Sequence, residues 1–334
     1  MFKEHDIIIK TLSVFRKEFT MKKRFFGTML FTIGCFLFGG CSAPSFPGLS
    51  SFTYSNADKY TMGDAELPAG EISCVEIDWV SGEINVEYHK KDTVIFSETA
   101  NKKLDDDTTM YYFVDGDTLH LKFIKSGKHI PSKLSKELTL YLPEGLELDE
   151  VVIDSVSADI NVSELTAEKA NIDTVSGDIV FEDVTLSDQV KFDTISGDIT
   201  AKLTAAKEVK ANSTSGEIQL TTEETPDMLS ADTVSGDIEL TIPGAEKLEL
   251  DSTSGQIKLS AGEAPDALSI DTVSGDILLI LPENSSFTVD WDTASGSINS
   301  DFAMKKDGDS YIFGEGTLRY NVDTTSGDLE IKCK

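Results

Sequence analysis

The sequence predicts an all-β fold, a parallel β-solenoid wound in coils of about 20 residues, and three observations carry that prediction. The first is a hexapeptide that keeps returning: TVSGDI at 174–179, TISGDI at 194–199, STSGEI at 213–218, TVSGDI at 233–238, STSGQI at 252–257, TVSGDI at 272–277, TASGSI at 293–298 and TTSGDL at 324–329. From a degenerate copy, SVSADI at 155–160, its serine advances in steps of 19, 20, 19, 20, 19, 20 and 21 residues. The second is alternation around each corner. Apolar residues stand four and six positions before the serine (Ile153 and Val151, Phe192 and Val190, Leu250 and Leu248) and three after it (Ile160, Ile199, Ile257), with polar residues between. That is the pattern of strands with one buried face. The third is turn chemistry: Pro226 and Pro265 lie 39 residues apart, as do Pro243 and Pro282, so alternate coils share a corner type. A unit of this size cannot enclose a core alone, and its neighbours must stack on it. A right-handed winding is expected by analogy with other parallel β connections.

The elements follow in chain order. Residues 1–40 hold an N-terminal extension and a signal. Lys22, Lys23 and Arg24 precede an apolar run, Phe25 to Phe38, too short to span a bilayer comfortably. Gly39 and Gly40 then lead into Cys41. This resembles the lipobox of a bacterial lipoprotein signal, which implies acylation of Cys41, with Phe38 where that pattern prefers Leu. Translation could begin at Met1 or Met21. Residues 41–69 read as the lipidated cysteine and a Ser/Pro-rich tether. Residues 70–150 are β-rich, carry an outlying WVSGEI at 79–84 and a hairpin signal at Asp115-Gly116-Asp117, and are expected to cap the N-terminal end of the solenoid. Residues 151–334 form the repeat. Its last step lengthens to 31 residues, between Ser295 and Ser326, which places a hairpin insertion near 301–316.

Repeated SGDI corners on such units, preceded by the LPEG segment at 142–145, resemble the DUF4097 family of bacterial β-strand-repeat surface lipoproteins, which carry an "adhesin" label. The resemblance spans about residues 70–334. It implies a β-repeat fold and a surface role, and brings no catalytic residues with it.

Charge narrows the function. The chain has 29 basic and 59 acidic residues, a net charge of −30, and removal of residues 1–40 leaves 22 and 56, a net of −34. Nucleic acid is therefore excluded as a partner. An anionic bilayer would repel such a body, so attachment to the extracytoplasmic face of the membrane must come through the lipid on Cys41. The same like charge, with the inserted hairpin, favours a monomer. Cys74 and Cys333 lie near opposite ends and are expected to stay unbridged if the coils stack in order.

The corners supply the candidate site. Three residues before the serines stand Asp173, Asp193, Asp232 and Asp271, and two after them Asp178, Asp198, Asp237 and Asp276. Both columns should point outward. Stacked carboxylates repel, and a calcium ladder would relieve this; the alternative is that these side chains accept hydrogen bonds from turn amides and solvate the surface. The Thr/Ser column two before each serine is expected to pack as polar structure inside the bend. The Val/Ile/Thr column just before the serine has no readable direction.

The functional expectation is a non-enzymatic scaffold or adhesin-like binding module of the bacterial cell envelope, with an envelope polymer or protein as ligand. The alternatives are a calcium-dependent or self-assembling envelope element and, behind them, a polysaccharide-acting β-helix enzyme. Against the enzyme, Arg319 is the only arginine after residue 40, and His89, His120 and His129 all fall outside the repeated corners.

Overall fold

A computed structural model describes residues 51–334. The signal, Cys41 and the first part of the tether lie outside the described residues. All 27 strands of the described residues belong to one hydrogen-bonded sheet, most of it parallel.

Each coil has a leading strand, a corner and a trailing strand. Leading strands pair in register through Ile153, Ile172, Phe192 and Ala211, and trailing strands through Ile160, Ile179, Ile199 and Ile218. The ladder continues through the corners, where the amide of Ser196 donates to Val175 O at 3.0 Å and that of Ser215 to Ile195 O at 3.0 Å. Alternation sends one face of both strands inward, and the apolar positions named above are almost completely buried. The interior also balances volume between coils. Phe181 and Phe192 meet edge-on at 4.9 Å, and the next coil carries Ala201 and Ala211 at the same two positions. Ile298 is half-buried where its equivalents are sealed, because it belongs to the last coil and has nothing stacked beyond it.

The repeated glycine is required by close approach. A Cβ on Gly197 would lie 1.9 Å from the carbonyl oxygen of Gly177, and one on Gly216 1.8 Å from that of Gly197. Only Gly82 among the corner glycines has a positive φ, +113°. Of the two reasons for glycine at a sharp corner, backbone contact between coils is therefore the operative one along the stack.

The ends depart from sequential stacking. WVSGEI at 79–84 is in direct register with the degenerate corner, Ser81 opposite Ser157 and Ile84 opposite Ile160. Outside it lies a coil from later in the chain: Thr118–Lys122 pairs with Cys74–Asp78, and Lys136–Pro143 with Ser81–His89. The chain thus builds its second coil first. The far end is inverted in the same way. Leu318–Thr324 and Leu329–Cys333 sit between the coil of residues 267–281 and that of residues 287–300. With these included, eleven coils stack, a rod of about 50 Å at ~4.8 Å per step.

Antiparallel strands cover most of the exposed edges. Tyr111–Asp115 turns at Gly116 to pair with Thr118–Lys122, and Thr93–Ala100 lies against Lys136–Pro143. At the other end Met304–Asp307 and Ser310–Phe313 form a hairpin on the free edge of Phe287–Thr293. Residues 51–69, grouped with the tether by composition, are folded onto the first coils. Phe52 bridges to Lys128, Ala65–Pro68 pairs with Thr93–Phe96, and Tyr60 packs 5.4 Å from Phe113. Cys74 and Cys333 are free thiols near opposite ends of the stack.

The N-terminal end hides a charge pair. Lys136 Nζ lies 2.6 Å from Glu98 Oε2, with both side chains sealed from solvent. The ammonium also donates to Thr108 O at 2.8 Å and to Phe123 O, and sits over the rings of Trp79 and Phe123. Glu98 accepts from the Met110 amide at 2.7 Å. Burial pushes the Glu98 pKa up and that of Lys136 down, each opposed by the partner's charge.

Candidate functional site

The corner ridge is built from four columns, each repeated at the coil spacing. Innermost is the Thr/Ser column. Thr194 Oγ1 accepts the Gly197 amide at 3.0 Å, Ser213 Oγ that of Gly216 at 2.8 Å, and Thr272 Oγ1 that of Gly275 at 3.1 Å. These hydroxyls are buried and bond within their own corner, as the polar-packing reading expected.

The Val/Ile/Thr column points outward. Val175, Ile195, Thr214, Val234 and Val273 are half-exposed, and Val156 is 39 % exposed. The bend turns this position away from the core, a direction that strand alternation alone could not supply.

The two aspartate columns lie on either side and behave differently. Asp178, Asp198, Asp237 and Asp276 are exposed, and each bridges coils: Asp178 Oδ1 accepts the Asp198 amide at 2.9 Å, Asp198 that of Glu217 at 2.8 Å, Asp237 that of Gln256 at 2.7 Å, and Asp276 that of Asp328 at 3.0 Å. The carboxylates thus satisfy amides of the adjacent coil rather than of their own turn. A short side chain at this position is just long enough for that reach.

Asp173, Asp193, Asp232 and Asp271 belong to the other column, in register from Asp78 through Asp154, Asp173, Asp193, Asn212, Asp232, Asp251 and Asp271 to Asp323. The column faces outward but is half-buried; the side chain of Asp173 is only 14 % exposed. Lys191 pairs with Asp193 and lies 3.9 Å from Asp173 Oδ1, which is buried without a hydrogen-bond partner. Lys122 closes the N-terminal end of the column on Asp78 and on Glu76, the latter at 2.9 Å. Burial works against the charge of Lys122, but the two carboxylates outweigh it and its pKa is raised.

Asp154 and Asp173 both have pKa values pushed up to about 7, first by burial and then by the neighbouring carboxylates, against the pull of Lys191. In the unfolded chain an aspartate titrates near ~3.9. The folded state therefore holds these protons more tightly. The stabilisation they bring is complete below about pH 4 and is lost as pH rises through about 7. Asp173→Asn is expected to raise stability at pH 8 by about 1–3 kcal/mol and to leave it nearly unchanged at pH 4. Denaturant melts of both proteins at the two pH values check this. An equal effect at both would show that the Asp173 pKa is not raised in the folded state.

A cluster of metal-ligand residue types lies away from the ladder. Among the described residues, Cys74, Asp117 and Asp149 are the group that brings three ligand atoms within 4.8 Å of one another. The pairing of Cys74–Asp78 between Thr118–Lys122 and Leu148–Asp154 collects them from three distant segments. A thiolate with two carboxylates suits a borderline ion such as zinc better than calcium, which prefers six to eight oxygens. Asp117 Oδ2 already accepts from Ser73 Oγ at 2.8 Å. Asp117 was legible only as a turn residue and Asp149 not at all, because their proximity depends on the inverted order of the first coils. A shallow groove of about 340 Å³ lies on the trailing strands at the far end, lined by Gln256, Asp276, Leu278, Ser297, Asp328 and Glu330.

The corner repeat and its stacked geometry agree with one family, described as Toastrack DUF4097, which matches residues 72–332. The chain belongs to the Toastrack DUF4097 family. Solved structures similar to this Toastrack chain include a "putative lipid binding protein" from Parabacteroides distasonis, with 15 % identity over 81 % of this chain and 96 % of that one, and a TM-score of 0.47. A "putative adhesin" from the same organism has 14 % identity over 81 % and 97 %, with a TM-score of 0.41. Another from Bacteroides fragilis has 13 % identity over 81 % and 97 %, with a TM-score of 0.38. No curated protein matches the chain.

Proposed function

We propose that this Toastrack protein is a non-enzymatic lipoprotein of the bacterial cell envelope. In this reading Cys41 carries the lipid on the extracytoplasmic face and the solenoid, wound right-handed, is a rigid spacer presenting its outer columns to an envelope polymer or protein. The observation that carries the reading is how the corners use their polar groups. Thr/Ser hydroxyls and exposed aspartates bond to backbone amides of the stack, so the ridge is a stiff periodic surface. The bridge from Phe52 to Lys128 supports the orientation: the chain leading back to Cys41 leaves from the N-terminal coils, which puts the groove and the C-terminal hairpin at the distal end.

Cys41→Ser in the full chain tests the anchor. The variant is expected to move from the membrane fraction to the soluble extracytoplasmic fraction and to lose incorporation of labelled fatty acid. Continued membrane association without label would overturn the lipid anchor.

A further inference from the structure

The order of the last two coils is set by something other than their corners. Thr324 is in register with both Thr272 and Thr293, and Leu329 with both Ile277 and Ile298. The coils of residues 267–281 and 287–300 therefore offer the same register to the coil between them. Their glycines make the same contact as well: Gly327 abuts Gly275 O, and Gly296 abuts Gly327 O. Each could stack directly on the other. Sequential stacking is also what the connectors favour, since five residues, 282–286, join these two coils, as five residues, 262–266, join the pair before them.

The hairpin breaks the tie. Ser310–Phe313 pairs antiparallel with the outer edge of Phe287–Thr293, with Phe287 opposite Phe313 and Asp290 opposite Ser310. That edge is open only when Leu318–Thr324 lies on the inner side; in sequential order the same strand would occupy it. Contacts confined to the inverted order reinforce the choice. Phe287 stacks on Phe313 at 4.6 Å, Ser310 Oγ donates to Asp290 Oδ1 at 2.5 Å, and Tyr320 OH reaches Pro265 O at 2.9 Å. Residues 287–300 pair with 318–333 in both orders but through opposite edges, the inner edge of Phe287–Thr293 in the inverted order and its outer edge in sequential order. The exchange therefore re-forms both ladders in an equivalent register, and the hairpin pairing with the Tyr320 bond is what separates the two orders.

We infer that the hairpin of residues 304–313 is a latch that holds the C-terminal coil between its two predecessors, and that releasing it lets the coil of residues 287–300 close directly onto that of residues 267–281. The C-terminal coil then moves to the end of the rod. The distal groove is remodelled by this exchange, because Asp328, Glu330 and Ser297 change neighbours.

Cysteine pairs report the order. Leu278 is in register with Glu330, and Glu330 with Asn299. In full-length protein carrying Cys74→Ser and Cys333→Ser, the pair Leu278→Cys with Glu330→Cys should cross-link on oxidation only in the latched order. Leu278→Cys with Asn299→Cys should cross-link only in the released order, since latched coils hold these positions two steps, about 10 Å, apart. The parent is expected to give the first cross-link. Deleting residues 303–315, which leaves a connector of ordinary length, or introducing Phe313→Asp, should raise the ratio of second to first at least about tenfold. Persistence of the first cross-link in both folded variants, or both cross-links in the parent, would overturn the latch. So would unfolding of both variants, since the hairpin would then be part of the core.

Discussion

Gly216→Ala is expected to cost at least about 3 kcal/mol, enough to split or unfold the stack at its middle. The added Cβ would sit 1.8 Å from the carbonyl oxygen of Gly197, a backbone atom two residues beyond Ile195, whose own carbonyl accepts the ladder bond from Ser215. Relief requires the coils to part, and overpacking that shifts backbone lies at or beyond the usual range of ~1–3 kcal/mol. Each coil is stabilised mainly by its neighbours, so the damage falls on one interface and the blocks on either side lose cooperativity. Guanidinium unfolding should show a lower midpoint or two transitions. Gly70→Ala is the control, because nothing lies within 4 Å of its Cβ and its φ is ordinary; it should change stability by less than about 0.5 kcal/mol. Equal behaviour of the two variants would refute the close-contact account.

Lys136→Met is the second large effect. It leaves the Glu98 carboxylate sealed without its cation and strips donors from Thr108 O and Phe123 O. Breaking a buried pair from one side costs about 3–5 kcal/mol, whereas replacing both partners with apolar groups is often close to neutral. The double variant Lys136→Met with Glu98→Leu should therefore recover most of the loss. Thermal melts of the wild type, both single variants and the double give the coupling directly. A double variant no better than Lys136→Met would mean that the lysine's packing over Trp79 and Phe123, rather than compensation of Glu98, is what matters.

The two cases mark how far local sequence could be followed. Gly216 was visible because its environment is a copy of itself, repeated every coil. Lys136 was not. It reads as an ordinary polar residue at the start of a strand, and its partners lie 13, 28 and 38 residues away. The aspartates fall between. Their outward direction followed from period-two alternation, but the raised pKa values of Asp154 and Asp173 come from burial and from carboxylates of other coils, opposed by Lys122 and Lys191.

By itself the sequence determined the corner, the coil-to-coil repeat and which residues face the core, because each is set by period-two alternation and by a glycine that must fit against its own copy. Only the tertiary structure decided the order of coils at the two ends. Near-identical corners stack on one another in the same register, so local chemistry is degenerate with respect to order. That degeneracy is broken by the antiparallel strands and aromatic contacts that each end recruits from distant parts of the chain.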